Sequence, residues 1–250
     1  MSHKVFKNPP RYRYLDALTS GGQGGVYIVF DEETGERRVM KLERHTDAER
    51  EQLAAGYLPH SRRPDFFLHP LAFAEIPNSN QTALVLPYVN GADVWALMTS
   101  KKYKNDFHAL LQREGNLETF LSNVCLAVAV AHDVGVVHSD LSYSNIMVTQ
   151  EGKTLKPIII DFGFASAMCY RVRNVASKPP SRYDPRMYQG ISFPAWEADV
   201  YSLGYMILWM YKLLNIEAPE DVAKHMMHAQ NKRWKAAECA RFFRKLVSNT

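Results

Sequence analysis

The hydrophobic period of this chain changes near Gly91, and that change limits the folds open to it. Before Gly91 the pattern alternates. GGVYIVF (24–30) is β-rich, and ETGERRVMKL (33–42) follows it across a DEETGE turn, so the two predict a hairpin. LAFAEI (71–76) and TALVLPYV (82–89) read as two further strands around PNSNQ. One helix interrupts them at TDAEREQLAAGYL (46–58), with Thr46 or Asp47 as its N-cap and acidic residues in its first turn. After Gly91 the spacing becomes helical. LETFLSNVCLAVAVAHDVG (117–135) is apolar on nearly every side and predicts a buried helix ending at Gly135. A polar, proline-bearing loop at 170–187 precedes a second buried helix, from Trp196–Glu197 through DVYSLGYMILWMY. From about residue 217 the tail predicts one or two amphipathic helices with a basic face (KRWK, RFFRK). The expectation is a single α+β domain over 1–250 with two lobes: a small β-rich lobe with one helix over about 11–87, a hinge at 87–93, and a mainly helical lobe over about 94–250. Ligands commonly bind in the cleft such an arrangement creates.

Composition narrows the classes further. With 250 residues, 46% of them apolar, the chain can bury a full core. Its charge of +4 is spread along the chain rather than gathered in an arm, so nucleic acid is not expected as a partner. Cys125, Cys169 and Cys239 are isolated and lack metal-ligand spacing, which suggests reduced thiols and a cytoplasmic location. The start, MSHKVFKNPPRYRY, does not read as a signal peptide, and LGYMILWMY (203–211) is too short to span a bilayer.

Chemistry is concentrated in four places. TSGGQGGVYIV (19–29) is a glycine stretch whose backbone amides can approach phosphate oxygens; alone it is equally a hairpin turn. On the next strand, Val39 and Lys41 share a face, so Val39 could pack on an adenine ring while Lys41 reaches phosphates as a point charge. In PIIIDFG (157–163), apolar neighbours crowd Asp161, and a carboxylate so placed needs a partner or a metal such as Mg²⁺. In VVHSDLSYSNIMV (136–148), Asp140 could accept a hydrogen bond from an attacking hydroxyl and Asn145 could offer its carbonyl oxygen to Mg²⁺. Each feature has an ordinary loop or packing reading by itself. Their order and spacing are what carry the signal.

Together these motifs, over about residues 14–212, resemble a protein kinase. Gly21, Gly24 and Val26 resemble the Gly-rich loop, Lys41 the β3 lysine, Asp140 and Asn145 the catalytic loop, and Asp161-Phe162-Gly163 the DFG motif. LVLPYVNGADV resembles the hinge, with Leu86 as gatekeeper, the backbone of Pro87 to Val89 facing adenine, and Asp93 placed for the ribose. Asp199 of EADVYSLG would brace the catalytic loop from beneath. The resemblance implies phosphoryl transfer from ATP with Mg²⁺ to a Ser/Thr hydroxyl of a protein substrate, by an active enzyme. Lys41 would hold phosphates, Asp161 and Asn145 the metal, and Asp140 would act as base. The implied nucleotide-binding set is Thr19, Ser20, Gly21, Gly22, Gln23, Gly24, Val26, Val39, Lys41, Leu86, Tyr88, Val89, Asp93 and Met147, with Glu49 or Glu51 pairing Lys41.

The chain also departs from the family pattern. Thr19 replaces the first glycine, Ser139 the arginine after the catalytic-loop histidine, and Ser142 the lysine of serine/threonine kinases. Ser139 implies activity without activation-loop phosphorylation. RYDPRMY (182–188) occupies the place of APE, and the helical lobe is trimmed. Compact, divergent kinases of this kind occur among bacterial effectors and large viruses, in which case the host cytosol would be the place of action and an activating partner could be needed. Two rival readings are a small-molecule phosphotransferase of the same fold and a nucleotide-binding scaffold without activity.

Overall fold

Alternation in residues 24–42 produces the hairpin it predicts. In the computed structural model, which describes residues 11–21, 24–76, 78–152, 154–172, 181–189, 191–228 and 233–248, β2 (Gly24–Asp31) pairs antiparallel with β3 (Glu36–Arg44). The turn is possible because Gly35 adopts φ +71°, a conformation that costs other residues strain. A strand not specified from sequence, β1 (Tyr12–Gly21), pairs with β2, and β4 (Ala72–Glu75) and β5 (Gln81–Pro87) complete an antiparallel sheet of order β1-β2-β3-β5-β4. Lys41 lies at its centre, opposite Val26 on one side and Leu84 on the other.

The single helix of this region, α1 (His45–Tyr57), follows β3 without a linker. Its N-cap is Arg44, with no side-chain cap, rather than Thr46 or Asp47. The reason lies in the charges: Asp47 accepts from Arg44 at 2.9 Å and from Arg50 at 3.2 Å, which takes its carboxylate away from the helix end.

Beyond Gly91 the helical period holds. α2 (Val94–Thr99) and α3 (Lys104–Leu111), neither of them specified from sequence, follow the short strand β6 (Ala92–Asp93). α4 (Asn116–Asp133) is the central core helix, with Leu121, Val124, Ala127 and Val130 fully buried. Burying a side chain such as Leu121 contributes about 1.5–3 kcal/mol. Gly135, at φ +86°, lets the chain turn away after the helix. The catalytic-loop-like stretch then runs between β7 (Val136–Val137) and β8 (Ile146–Glu151), and β9 (Thr154–Ile159) leads to Asp161. β6, β8 and β9 form a small sheet; β10 (Ser166–Ala167) pairs with β7, and β11 (Arg171–Val172) with β12 (Phe193–Pro194).

The second buried helix, α5 (Ala195–Leu214), and α7 (Ala236–Ser248) flank α4; between them lies α6 (Glu220–Val222), continued by a π turn at Ala223–Met227. Ser122 on α4 donates to the Ala240 carbonyl at 2.9 Å, docking α7. The RFFRK stretch does present Arg241, Arg244 and Lys245 to solvent. KRWK does not form a basic face as expected: Lys232 lies outside the described residues, and Arg233 is buried in an ion network. Among the described residues, no helix is long and apolar enough to cross a membrane.

Candidate active site

The sheet, the hinge-like strand end and the end of β9 enclose a cleft of about 240 Å³. Val26 and Val39 line it from β2 and β3, Leu86, Pro87, Tyr88 and Val89 from the end of β5, and Met147 and Ile160 from β8 and the end of β9. The shared face of Val39 and Lys41 therefore looks into the cleft. Leu18, Leu68 and Gly91 also line it and were not singled out from sequence.

Lys41 anchors the polar end. Its Nζ lies 3.1 Å from Glu51, 2.8 Å from Asp161 and 2.6 Å from Glu43. The choice between Glu49 and Glu51 is thus resolved by helix phase: Glu51 is buried and faces the sheet, whereas Glu49 is exposed and takes no part. Glu43 was missed, although strand alternation puts it on the face of Val39 and Lys41. Burial works against the Lys41 ammonium, but the carboxylates overcome it and hold its pKa above the ordinary lysine value. Burial pushes Glu51 up to about 7 against the pull of Lys41, and raises Glu43 as well. At Asp161 burial opposes ionisation, yet the Lys41 ammonium wins and holds the carboxyl below its usual range.

Asp161 stands at φ +66°, a strained position for a non-glycine residue. The chain is kept there by Phe162, buried beneath it and packed against Phe67 (6.0 Å between centroids) and His138 (4.9 Å). Ser139 is strained likewise, at φ +67°. Asp199, on α5, holds that bend: its carboxylate accepts from the backbone N–H of His138 and of Ser139, both at 2.8 Å, and from His132 at 3.0 Å. Asn145 donates its side-chain amide to the Asp140 carbonyl at 2.9 Å, and its own backbone carbonyl accepts from Ile160 at 3.0 Å. These bonds tie the loop of Asp140 to the strand end of Asp161.

Asp140 was expected to face an acceptor hydroxyl. Its Oδ1 accepts from the Tyr183 hydroxyl and from Arg182 at 3.1 Å. Neither residue was singled out as a site residue. Asp93 does not line the cleft; its carboxylate accepts from the Ala96 N–H at 2.8 Å, capping α2. An Asp at this offset before an apolar run is an N-cap signal, and it could have revealed that helix. Gly22 and Gln23 lie outside the described residues, while Thr19, Ser20, Gly21 and Gly24 sit at the ends of β1 and β2 around them.

Gly91 joins the cleft to β6. A Cβ there would lie 2.2 Å from the Val148 carbonyl oxygen, a backbone atom that cannot step aside cheaply. Gly91→Ala is expected to cost about 1–3 kcal/mol through overpacking. Thermal unfolding should show it as a Tm lower by about 2–12 °C; an unchanged Tm would mean the β6–β8 pairing yields freely.

A β-sheet with one glutamate-bearing helix, a helical remainder and an apolar cleft with a lysine–carboxylate cluster at its polar end make up a kinase-like fold. A family model for the protein kinase domain matches residues 12–241, and the chain belongs to that family. Among curated proteins it is similar to the serine/threonine-protein kinase PknD of Chlamydia felis (23% identity over 86% of this chain and 27% of that protein) and of Chlamydia trachomatis serovar D (22% over 84% and 25%). PknD of Chlamydia caviae is 26% identical over 62% of this chain and 17% of its own length. The chain thus spans about a quarter or less of these relatives.

Proposed function

We propose that this chain is an ATP- and Mg²⁺-dependent protein kinase that transfers the γ-phosphate to a serine or threonine hydroxyl of a protein substrate. One observation carries the reading: Lys41 and Asp161 pair at the polar end of an apolar cleft, and Asn145 is bonded both to the Asp140 carbonyl and to Ile160, the residue before Asp161. The PknD relatives are named serine/threonine-protein kinases, which supports the acceptor class.

In this reading residues 1–250 act as one domain, hinged at 87–93, with adenine between Val39 and Met147. Lys41 neutralises phosphate charge, and its own position is set by Glu51. Asp140 accepts the proton of the acceptor hydroxyl, which makes that oxygen a better nucleophile. Asn145 spends its amide N–H on Asp140 and keeps its carbonyl oxygen, so Asn145 and Asp161 offer the hard oxygen donors that Mg²⁺ takes. When bound, Mg²⁺ supplies charge neutralisation for the phosphates. The work would be done in a cytoplasmic compartment.

The test is transfer of label from γ-labelled ATP with Mg²⁺ to a generic protein substrate. Asp140→Asn is expected to lower the rate by about 10²–10⁴-fold, as loss of a general base does. Phosphoamino-acid analysis should find phosphoserine or phosphothreonine. Undiminished transfer by the variant, or phosphotyrosine alone, would overturn the corresponding part of the reading.

A further inference from the structure

The carboxylate assigned as base is already engaged, and by residues outside its own loop. Arg182 Nη2 donates to Asp140 Oδ1 at 3.1 Å and to the Tyr183 hydroxyl oxygen at 3.0 Å, while that hydroxyl donates to the same Oδ1. The guanidinium also lies over the Tyr183 ring, 4.7 Å from its centroid. Oδ2 of Asp140 carries no hydrogen bond among the described residues, so the group is held by one oxygen and open at the other.

Arg182 does not reach this place by a floppy chain. Its backbone carbonyl accepts from Ser202 on α5 at 3.0 Å. Two residues on, Asp184 is fully buried and paired with Arg186 and Arg233, and Arg186 with Glu197 at 2.8 Å. The guanidinium is therefore placed before any ligand arrives. It also has capacity to spare: Nε is buried and has no hydrogen-bond partner among the described residues.

The charges around the cleft give that capacity a use. Lys41 is ringed by carboxylates of Glu43, Glu51 and Asp161, all within 4 Å, so only part of its charge is left for the phosphates. On the loop of Asp140, position 142 is a neutral, buried serine. A phosphoryl group moving toward Asp140 would pass between two carboxylates, Asp140 and Asp161. A fixed cation beside that path stabilises the charge on the equatorial oxygens without reorganisation.

We propose that Arg182 is a catalytic residue of this kinase, contacting the γ-phosphoryl group in flight and supplying the cation that the loop itself lacks. The inference rests on the reading of the cleft as a nucleoside-triphosphate site. In the step, a bond forms from the acceptor oxygen to phosphorus, and the bond to the bridging oxygen breaks with its electron pair leaving on the diphosphate. The acceptor proton passes to Asp140 Oδ2. Arg182 exchanges no atom; its N–H groups donate to the transferring oxygens.

The test uses the full chain and measures affinity for ADP–Mg²⁺ with and without aluminium fluoride, which mimics the group in flight and needs no turnover. Wild type should bind at least about tenfold more tightly with fluoride, as transition-state mimics do. Arg182→Gln should lose most of that gain while binding ADP–Mg²⁺ alone within about threefold, and Arg182→Lys should recover part of it. In turnover, Arg182→Gln should lower kcat by about 10²–10³-fold with KM for ATP little changed. A purely structural role would lower the Tm and weaken ADP binding too, which Arg182→Lys would not repair. A fluoride gain kept in full by Arg182→Gln overturns the inference and leaves the kinase reading intact. Failure of wild type to bind nucleotide at all removes both.

Discussion

Lys41→Met is expected to lower the Tm by about 6–20 °C at pH 8 and by clearly less at pH 5.5. Glu43, Glu51 and Asp161 bring carboxylate oxygens within 4.8 Å of one another, and Lys41 is the cation among them. Methionine keeps the bulk but leaves buried acids without a counter-charge, a change that costs about 3–5 kcal/mol. At this chain length each kcal/mol is worth about 2–4 °C. The pH dependence follows from the acids. Glu51, at about 7 in the folded protein, holds a proton that the unfolded chain has released, so its contribution to stability declines as pH rises from the ordinary carboxylate range through 7. Without Lys41 that range extends upward, and acidification neutralises the cluster. Thermal scans of both proteins at the two pH values decide it: an equal deficit at each would show that packing, not charge, sets the cost.

A comparable loss is expected next to Arg182 and Tyr183, where Asp184 is fully buried between Arg186 and Arg233. Asp184→Asn leaves Arg233, itself 3% exposed, to two backbone carbonyls, those of Glu197 and Met227, both at 3.1 Å. Stranding a buried guanidinium should cost about 3–5 kcal/mol at pH 7. Burial disfavours the Asp184 carboxylate, but Arg186 and Arg233 hold its pKa below the ordinary value. The stabilisation is therefore present above the ordinary value and lost as pH falls from there through the lowered folded one, so wild type and variant should converge in acid. Combining Asp184→Leu with Arg233→Met should recover a large part of the single-variant losses, because no buried charge is then left unmatched. Additive losses in denaturant titrations would show that the two residues act independently.

The fate of individual expectations follows the range of the interaction behind each. Strand alternation is local, so it correctly oriented Val39 and Lys41, and it would have found Glu43 had it been carried two residues further. Helix phase is local too, yet choosing Glu51 over Glu49 needed the direction in which α1 packs, and no pattern within the helix states that. Asp93 shows the reverse case: a resemblance assigned it to ribose, and its near neighbours also make it the N-cap of α2, a local signal that the sequence reading did not use.

By itself the sequence determined the type of most elements and the place where strands give way to helices, and it marked Lys41, Asp140, Asn145 and Asp161 as candidates through the order and spacing of their motifs. Only the tertiary structure decided what surrounds them. Arg182 and Tyr183 reach Asp140 across 42 and 43 residues, and Arg233 reaches Asp184 across 49. Such pairs form because buried charges require a partner and the packed helices bring one within reach. That requirement belongs to the folded interior and leaves no periodic trace along the chain.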